Sequence, residues 1–490
     1  MSASDDRHIL ILDEGTSSTR AVLYTLDGTM RAACWRDLEQ YYPAPGRVEH
    51  DAAEIWNKTL ECAGELIAVV GGPERIAAIG ITNQRETVVA WDHQTGQPLA
   101  RAIVWQDRRT AEACEALRAA GHEPMVQRRT GLLLDPYFSA TKMAWLLKHS
   151  DAVRRAGDRL AFGTVESWLV WKLSGKHLTD VTNASRTSLL PLSASDWDDE
   201  LLDLFGVPRR ALPRVVGNAG YFAHTHPDLF GAPIPITGLV GDQQSATLGQ
   251  ACLEPGHTKL TLGTGAFVLT NVGAIPPTDP GRLLGTILYE VAGERRFALE
   301  GAIFVAGSLV KWLRDNLGLL RSADETEALA RSVPDNGGVT LLPALAGLGA
   351  PYWKPDATAV LSGLTFASNR AHVARAALEA VSHQLVDLAA AFEVAGASWH
   401  VLRLDGGMAV NDWLAQDLAD MTGLVVARPD DVETTARGAA LLAAVGAGIY
   451  PDLAAAAAAM IGRGVRFEPR DLGTVRTDRL AAWHTLLGTV

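Results

Sequence analysis

Apolar residues along this chain fall into two recurring patterns. In the first, a short apolar run stops at glycine and hydroxyl residues: "HILILD" at 8–13 enters "EGTSST" and resumes as "RAVLYTLDG", which closes on its own Asp-Gly turn. Apolar runs bounded by turn residues predict two strands joined by a hairpin. The second pattern is helical. In "DAAEIWNKTLECAGELIAVV" (51–70), Ile55, Leu60, Ala63, Leu66 and Ile67 share one face, and Asp51 with Glu54 is placed as a capping box. "IAAIGITN" at 76–83 then predicts a buried strand. Strand, helix and strand in that order predict an α/β domain.

The first pattern returns near mid-chain as "TKLTLGTGAFVLTN" (258–271), again an apolar strand that ends in Gly-Thr and resumes as a strand. Two unrelated hairpins would produce one such match. The distance from Gly15-Thr16 to Gly263-Thr264, close to half the chain, favours a duplicated domain with a cleft between the copies. A third glycine turn, Asp405-Gly406-Gly407 in "LRLDGGMAVND", joins a strand to a helix. "RAHVARAALEAVSHQLVDLAAAFEVAG" is read as helix, and the alanine run 454–459 as a plain packing helix.

Composition narrows the function classes. At 490 residues the chain is too long for a single core. With 48% hydrophobic and 20% charged residues it is globular. A net charge of −12, from 44 basic against 56 acidic residues, gives no support for a nucleic-acid or anionic-membrane partner. Cys34, Cys62, Cys114 and Cys252 form no CxxC pair, which fits a reducing compartment. The N-terminus lacks the look of a secretory signal, and no apolar stretch approaches the ~20 residues of a membrane span. These features predict a soluble cytoplasmic protein.

No GxxxxGK[ST] occurs, so phosphates would have to bind between the Gly-Thr hairpins, where backbone N–H groups and hydroxyls meet an anion from two sides. Asp13, at the end of the first strand, could hold the shielding metal. Four other stretches carry chemistry: "TNQRETV" with Arg85 and Glu86, "AIVWQDRRT" with Trp105, "LDPYFSATK" with Tyr137, and "LVGDQQSATLGQ" with Asp242 and Gln243. Taken singly, each has an ordinary meaning: a solvated strand end, a core aromatic, a helix N-cap.

Together with "YYPAPGRVEHD", "DVTNASRTSLL", "GLGAPYW" and the glycine turns, these stretches make the chain resemble the FGGY family of carbohydrate kinases from about Ile9 to the C-terminal helices. Both family signatures can be traced, as "YFSATKMAWLLKH" (137–149) and "AVLSGLTFASNRAHVARAALE" (359–379). The resemblance implies an α/β fold of two actin-like (ribonuclease-H-like) domains flanking a central cleft. The N-terminal one, 1–250, would carry the polyol site and first phosphate hairpin, and the C-terminal one, 251–490, would bind nucleotide. It implies ATP and Mg2+ as cofactors, and transfer of a γ-phosphoryl group to glycerol giving sn-glycerol 3-phosphate. Another small polyol or ketose, such as erythritol or dihydroxyacetone, is the alternative acceptor. No nucleic acid or membrane is implied as partner. The resemblance suggests a homodimer or homotetramer, which the residues themselves do not decide.

Carried over residue by residue, the resemblance assigns Asp242 as the catalytic base. It assigns Arg85, Glu86, Trp105, Tyr137, Asp242, Gln243 and Phe267 to the polyol pocket. Thr16, Ser17, Ser18, Arg20, Thr264, Gly265, Gly307, Lys311, Gly407 and Asn411 go to the nucleotide, and Asp13 with Asp242 to the metal. The pocket is chemically coherent. Arg85 can donate to the hydroxyl edge of a triol and Glu86 and Asp242 can accept from it, while Trp105 and Phe267 wall its carbon edge. An ordinary carboxyl pKa of ~3.9 would keep Asp242 ionised at neutral pH. Asp13, Asp242 and both hairpins argue against a catalytically silent sugar sensor on the same fold. Three positions depart from the family pattern: Glu14 for Gln, Lys311 for Gln, and Glu166 for Asp. Glu14 would either help bind the metal or point away from it.

Overall fold

The computed structural model describes residues 6–354, 356–431 and 433–490. The first half of the chain supplies β1 (His8–Glu14), β2 (Ser18–Thr25), β3 (Met30–Asp37), β4 (Ile76–Asn83), β5 (Ala219–His224) and β6 (Pro235–Gly241). The second half supplies β7 (His257–Leu262), β8 (Ala266–Gly273), β9 (Leu284–Val291), β10 (Glu294–Ile303), β11 (Val401–Asp405), β12 (Val426–Arg428) and β13 (Val465–Phe467). All lie in one sheet in the order β13-β12-β11-β7-β8-β10-β9-β5-β6-β4-β1-β2-β3.

The sheet contains the same five-strand motif twice, as β6-β4-β1-β2-β3 and as β12-β11-β7-β8-β10. In each copy the central strand, β1 or β7, runs antiparallel to its hairpin mate and parallel to the strand on its other side. The duplication expected from the paired Gly-Thr turns is therefore present as strand order, in the doubled ribonuclease-H-like, actin-like arrangement. The two copies meet at β5 and β9, where Ala219–Val291 is the single pair among the described residues.

Helices cover both faces: α1 (Ala52–Val69), α2 (Ser139–His149), α3 (Asp242–Gly249), α4 (Gly307–Asp315), α5 (Arg370–Val394), α6 (Asp412–Thr422), α7 (Thr434–Gly446) and α8 (Leu453–Met460). Strand alternation explains the layering of the first copy. Leu10 and Leu12 of β1 pack with Ile55, Ala63 and Leu66 of α1, whereas Ile9 and Ile11 pack with Ala436, Ala439 and Ala440 of α7. A helix from near the C-terminus thus covers the sheet of the N-terminal copy. Its alanine face allows this close approach, and the alanine run of α8 packs in the same cluster.

One local expectation is corrected. Asp51 does cap α1, accepting from the Ala53 amide at 2.9 Å, but Glu54 does not return to complete a capping box. The Glu54 carboxylate is instead taken by Lys58, one turn on, and by the Glu39 amide, and these partners outcompete the helix start. Among the described residues no helix is long and apolar enough to cross a membrane. The four cysteines are free and buried.

Candidate active site

At the first hairpin the β1–β2 register sets Asp13 opposite Arg20 and Glu14 opposite Thr19. Directly opposed residues share a face and neighbours do not, so the two acids are sent to opposite sides of the sheet. Asp13 and Arg20 form an ion pair, and Arg20 continues to Glu433 at 2.7 Å. Glu14 points away, under α1, where its carboxyl accepts from Thr19 and Thr59 at 2.6 Å each. Burial pushes the Glu14 carboxyl up to about 8, against the pull of those two hydroxyls. The question left open by this departure is settled by the register. If Mg2+ serves the expected phosphoryl transfer, a Glu14→Gln variant should leave its titration and the turnover within about two-fold, because the carboxyl lies beneath α1; a shifted Mg2+ titration would refute that placement. Thr16 and Ser17 form the turn itself, and Ser18 opens β2 on the Asp13 face.

The polyol candidates converge where β4 and β6 end. Arg85 follows β4 and is buried; Glu86 sits at φ 62°, a left-handed conformation uncommon for a non-glycine residue, held by a Ser139 hydroxyl on its carbonyl at 3.1 Å. Asp242 is the first residue of α3, one residue past the end of β6. It is not a helix cap: its Oδ1 lies 3.3 Å from Arg85 Nε, and its side chain is 30% exposed. Trp105 stacks edge-on against Tyr137, centroids 5.6 Å apart, and donates its indole N–H to Thr16 at 2.9 Å. The Trp105–Tyr137 corner is thereby joined to the first hairpin. Gln243 accepts from Lys259 at 2.6 Å. Phe267 pairs with Thr261 on one side and Ala302 on the other, so it stands on the same face of the second sheet copy as Glu300, two residues along.

The ordinary carboxyl pKa expected for Asp242 is corrected. Burial raises it, Arg85 lowers it and Glu86 raises it, with a result of about 6. Sequence reasoning also missed Arg186, Lys259 and Glu300. Arg85 donates to Glu300 from both terminal nitrogens, at 2.7 and 3.1 Å; Arg186 donates to Glu86 at 2.6 Å and to Glu300 at 3.3 Å. Burial would push Glu300 up, yet Arg186 and Arg85 override it and hold the carboxyl at about 2. No local signal marks Glu300 in "FALEGAI", because its partners lie elsewhere in the chain.

The second hairpin closes at Gly263-Thr264-Gly265, and α4 docks beneath it, the Gly307 and Ser308 amides donating to the carbonyls of Gly263 and Thr264 at 2.9 and 3.0 Å. A cavity of about 670 Å³ opens here. Of the expected nucleotide residues, Thr264, Gly307, Lys311, Gly407 and Asn411 line it, joined by Arg314 and Met408. Gly265 does not line it, and a β-carbon there would stand 2.4 Å from the Ile303 carbonyl. Thr16, Ser17, Ser18 and Arg20 lie at the other hairpin, outside this cavity.

The FGGY family of carbohydrate kinases matches in two parts, its N-terminal domain over residues 8–249 and its C-terminal domain over 258–447. The chain is 53% identical to a glycerol kinase of Rhodospirillum centenum over 481 residues, which take in 97% of this chain and 96% of that protein. It is 50% identical to a glycerol kinase of Methylobacterium nodulans, with 98% of each covered. Among solved structures it is similar to Plasmodium falciparum glycerol kinase with ADP, at TM-score 0.93 and 33% identity over 99% of this chain and 98% of that one. A xylulose kinase from Rhodospirillum rubrum shares the fold, with TM-score 0.89 at 24% identity over 99% of each chain.

Proposed function

The chain belongs to the FGGY family of carbohydrate kinases, and on that premise we infer that it transfers the γ-phosphoryl group of Mg·ATP to a terminal hydroxyl of glycerol, giving sn-glycerol 3-phosphate. One observation carries the reading: Arg85 stands within 3.8 Å of Glu86 and 3.3 Å of Asp242 and donates to the Tyr137 hydroxyl, whose ring meets Trp105, which in turn is hydrogen-bonded to Thr16 of the first hairpin. A triol fits such charged groups with its hydroxyls and the aromatic rings with its C–H groups.

In this reading Asp242 accepts the proton of the attacking hydroxyl. Arg85 and Gln243 donate to the polyol, Glu86 accepts from it, and Trp105, Tyr137 and Phe267 exclude water from the carbon chain. The large cavity suits a nucleotide: Thr264, Gly307, Lys311, Gly407 and Asn411 surround it. Thr16, Ser17, Ser18, Arg20 and Gly265 belong to the hairpins that face the phosphates. Mg2+ characteristically takes one or two carboxylates and completes its shell with phosphate oxygens and water. Asp13 and Asp242 fit that donor set, although Arg20 partners Asp13 in this structure. The metal's contribution is to neutralise charge on the transferring group. The division into 1–250 and 251–490 belongs to the same proposal, supported by the passage from the end of α3 at Gly249 to the new hairpin system at His257. So do a homodimeric or homotetrameric assembly, testable by light scattering, and a cytoplasmic location, where ATP and Mg2+ are supplied.

Release of ADP measured across glycerol, erythritol, dihydroxyacetone and xylitol tests the substrate. Glycerol should give the highest kcat/KM, and a higher value for any other acceptor would overturn the assignment. The pH profile tests the base. Only ionised Asp242 can take the hydroxyl proton, so kcat/KM should fall as pH drops through about 6, not through the ordinary carboxyl range near ~4. A profile flat down to about pH 5 would remove Asp242 from that role. Lys311 adds a cation to the cavity wall, so the ATP KM of the parent should rise more steeply with ionic strength than that of Lys311→Gln. Equal salt slopes would place this ammonium outside the reach of the phosphates.

A further inference from the structure

We propose that the second half of the chain completes the polyol pocket through Glu300 and Lys259, two positioning residues that fix Arg85 and Gln243 for the substrate's hydroxyls. The proposal rests on the pocket reading above and extends it to residues outside that reading. Lys259 on β7, Leu269 on β8 and Glu300 on β10 are directly opposed in register, so they form one row across three strands, on the face that also carries Phe267. From this face Glu300 accepts both terminal nitrogens of Arg85 in a fork. Lys259 donates to the Gln243 carbonyl at 2.6 Å and to Thr261 at 2.9 Å.

These contacts decide what the pocket presents. With its carbonyl occupied by Lys259, Gln243 is left to offer its amide N–H groups. With its fork held by Glu300, the Arg85 guanidinium is locked in rotation, and its Nε stays turned towards Asp242. Glu300 also separates two buried guanidiniums that would otherwise confront each other, since it accepts from Arg85 and Arg186 together. A planar two-point clamp of this kind fixes orientation in a way a single ammonium cannot. Because the clamps arise from β7 and β10 while Arg85 and Gln243 belong to the first half, polyol affinity depends on how the halves sit against each other.

Steady-state kinetics of full-length Glu300→Gln and Lys259→Met test this. Each should raise the glycerol KM by about 10- to 100-fold, the usual worth of one charge-assisted hydrogen bond. The ATP KM should move by less than about two-fold, and kcat by much less than the glycerol KM. Glu300→Asp, which restores the charge one methylene short, should recover part of the loss. Circular dichroism establishes whether each variant folds; if Glu300→Gln does not, Lys259→Met alone decides. A glycerol KM unchanged in the folded variants, or glycerol and ATP KM values rising in parallel, would overturn the proposal. A parent enzyme that does not phosphorylate glycerol would instead overturn the pocket reading itself, so the two failures are distinguishable.

Discussion

An Asp242→Asn variant should turn glycerol over at least about 10²-fold more slowly than the parent, the usual worth of a positioned general base. The substitution keeps the shape of the side chain and removes the charge and proton affinity. The backbone that places it is independently fixed: the Gly241 amide donates to the Thr182 hydroxyl at 2.8 Å, and Thr182 is in turn held by Asp180. The loss should therefore appear as chemistry and not as a collapsed site. ATP binding should stay nearly intact, because the cavity around Thr264, Gly307 and Lys311 does not include residue 242. Single-turnover ADP formation measures the effect directly, and near-full turnover would mean that another group takes the proton. Residual activity that recovers with added Mg2+ would assign the larger share of Asp242's role to the metal.

Gly438→Ala should have the largest effect on stability. At the crossing of α3 and α7, a β-carbon on Gly438 would lie 1.8 Å from the Ser245 carbonyl oxygen, and one on Gly249 would lie 1.9 Å from that of Thr434. These are backbone atoms inside helices, so they cannot rotate aside as a side chain could. Overpacking against backbone of this kind costs about 3 kcal/mol or more. The crossing also ties the helix that opens with Asp242 to one that covers the sheet of the first half, so displacement here reaches the site. Urea unfolding of the variant should show a clearly lowered midpoint, with kcat reduced even where the protein remains folded. A midpoint within experimental error of the parent would mean that the helices separate at little cost.

What the sequence determined by itself is local. The two Gly-Thr turns, the helix beginning at Asp51, the strand 76–83 and the glycine turn at 405–407 were all legible, because turn chemistry and apolar periodicity depend on neighbours in the chain. Arg85, Glu86, Trp105, Tyr137, Asp242 and Gln243 could be singled out because each stands beside a strand end or turn, but only the family resemblance assigned them to a polyol pocket. Tertiary structure decided the rest. Adjacent Asp13 and Glu14 look equally able to serve a metal, and only the register with Arg20 and Thr19 sends one to the Arg20–Glu433 side and the other beneath α1. The capping box failed at Glu54 because Lys58 and the Glu39 backbone took its carboxylate. The proton affinity of Asp242 followed from burial and from the balance between Arg85 and Glu86. Glu300 reaches Arg85 across 215 positions of sequence. A buried charge needs a partner wherever the fold can bring one, and that demand is satisfied in space and leaves no pattern along the chain.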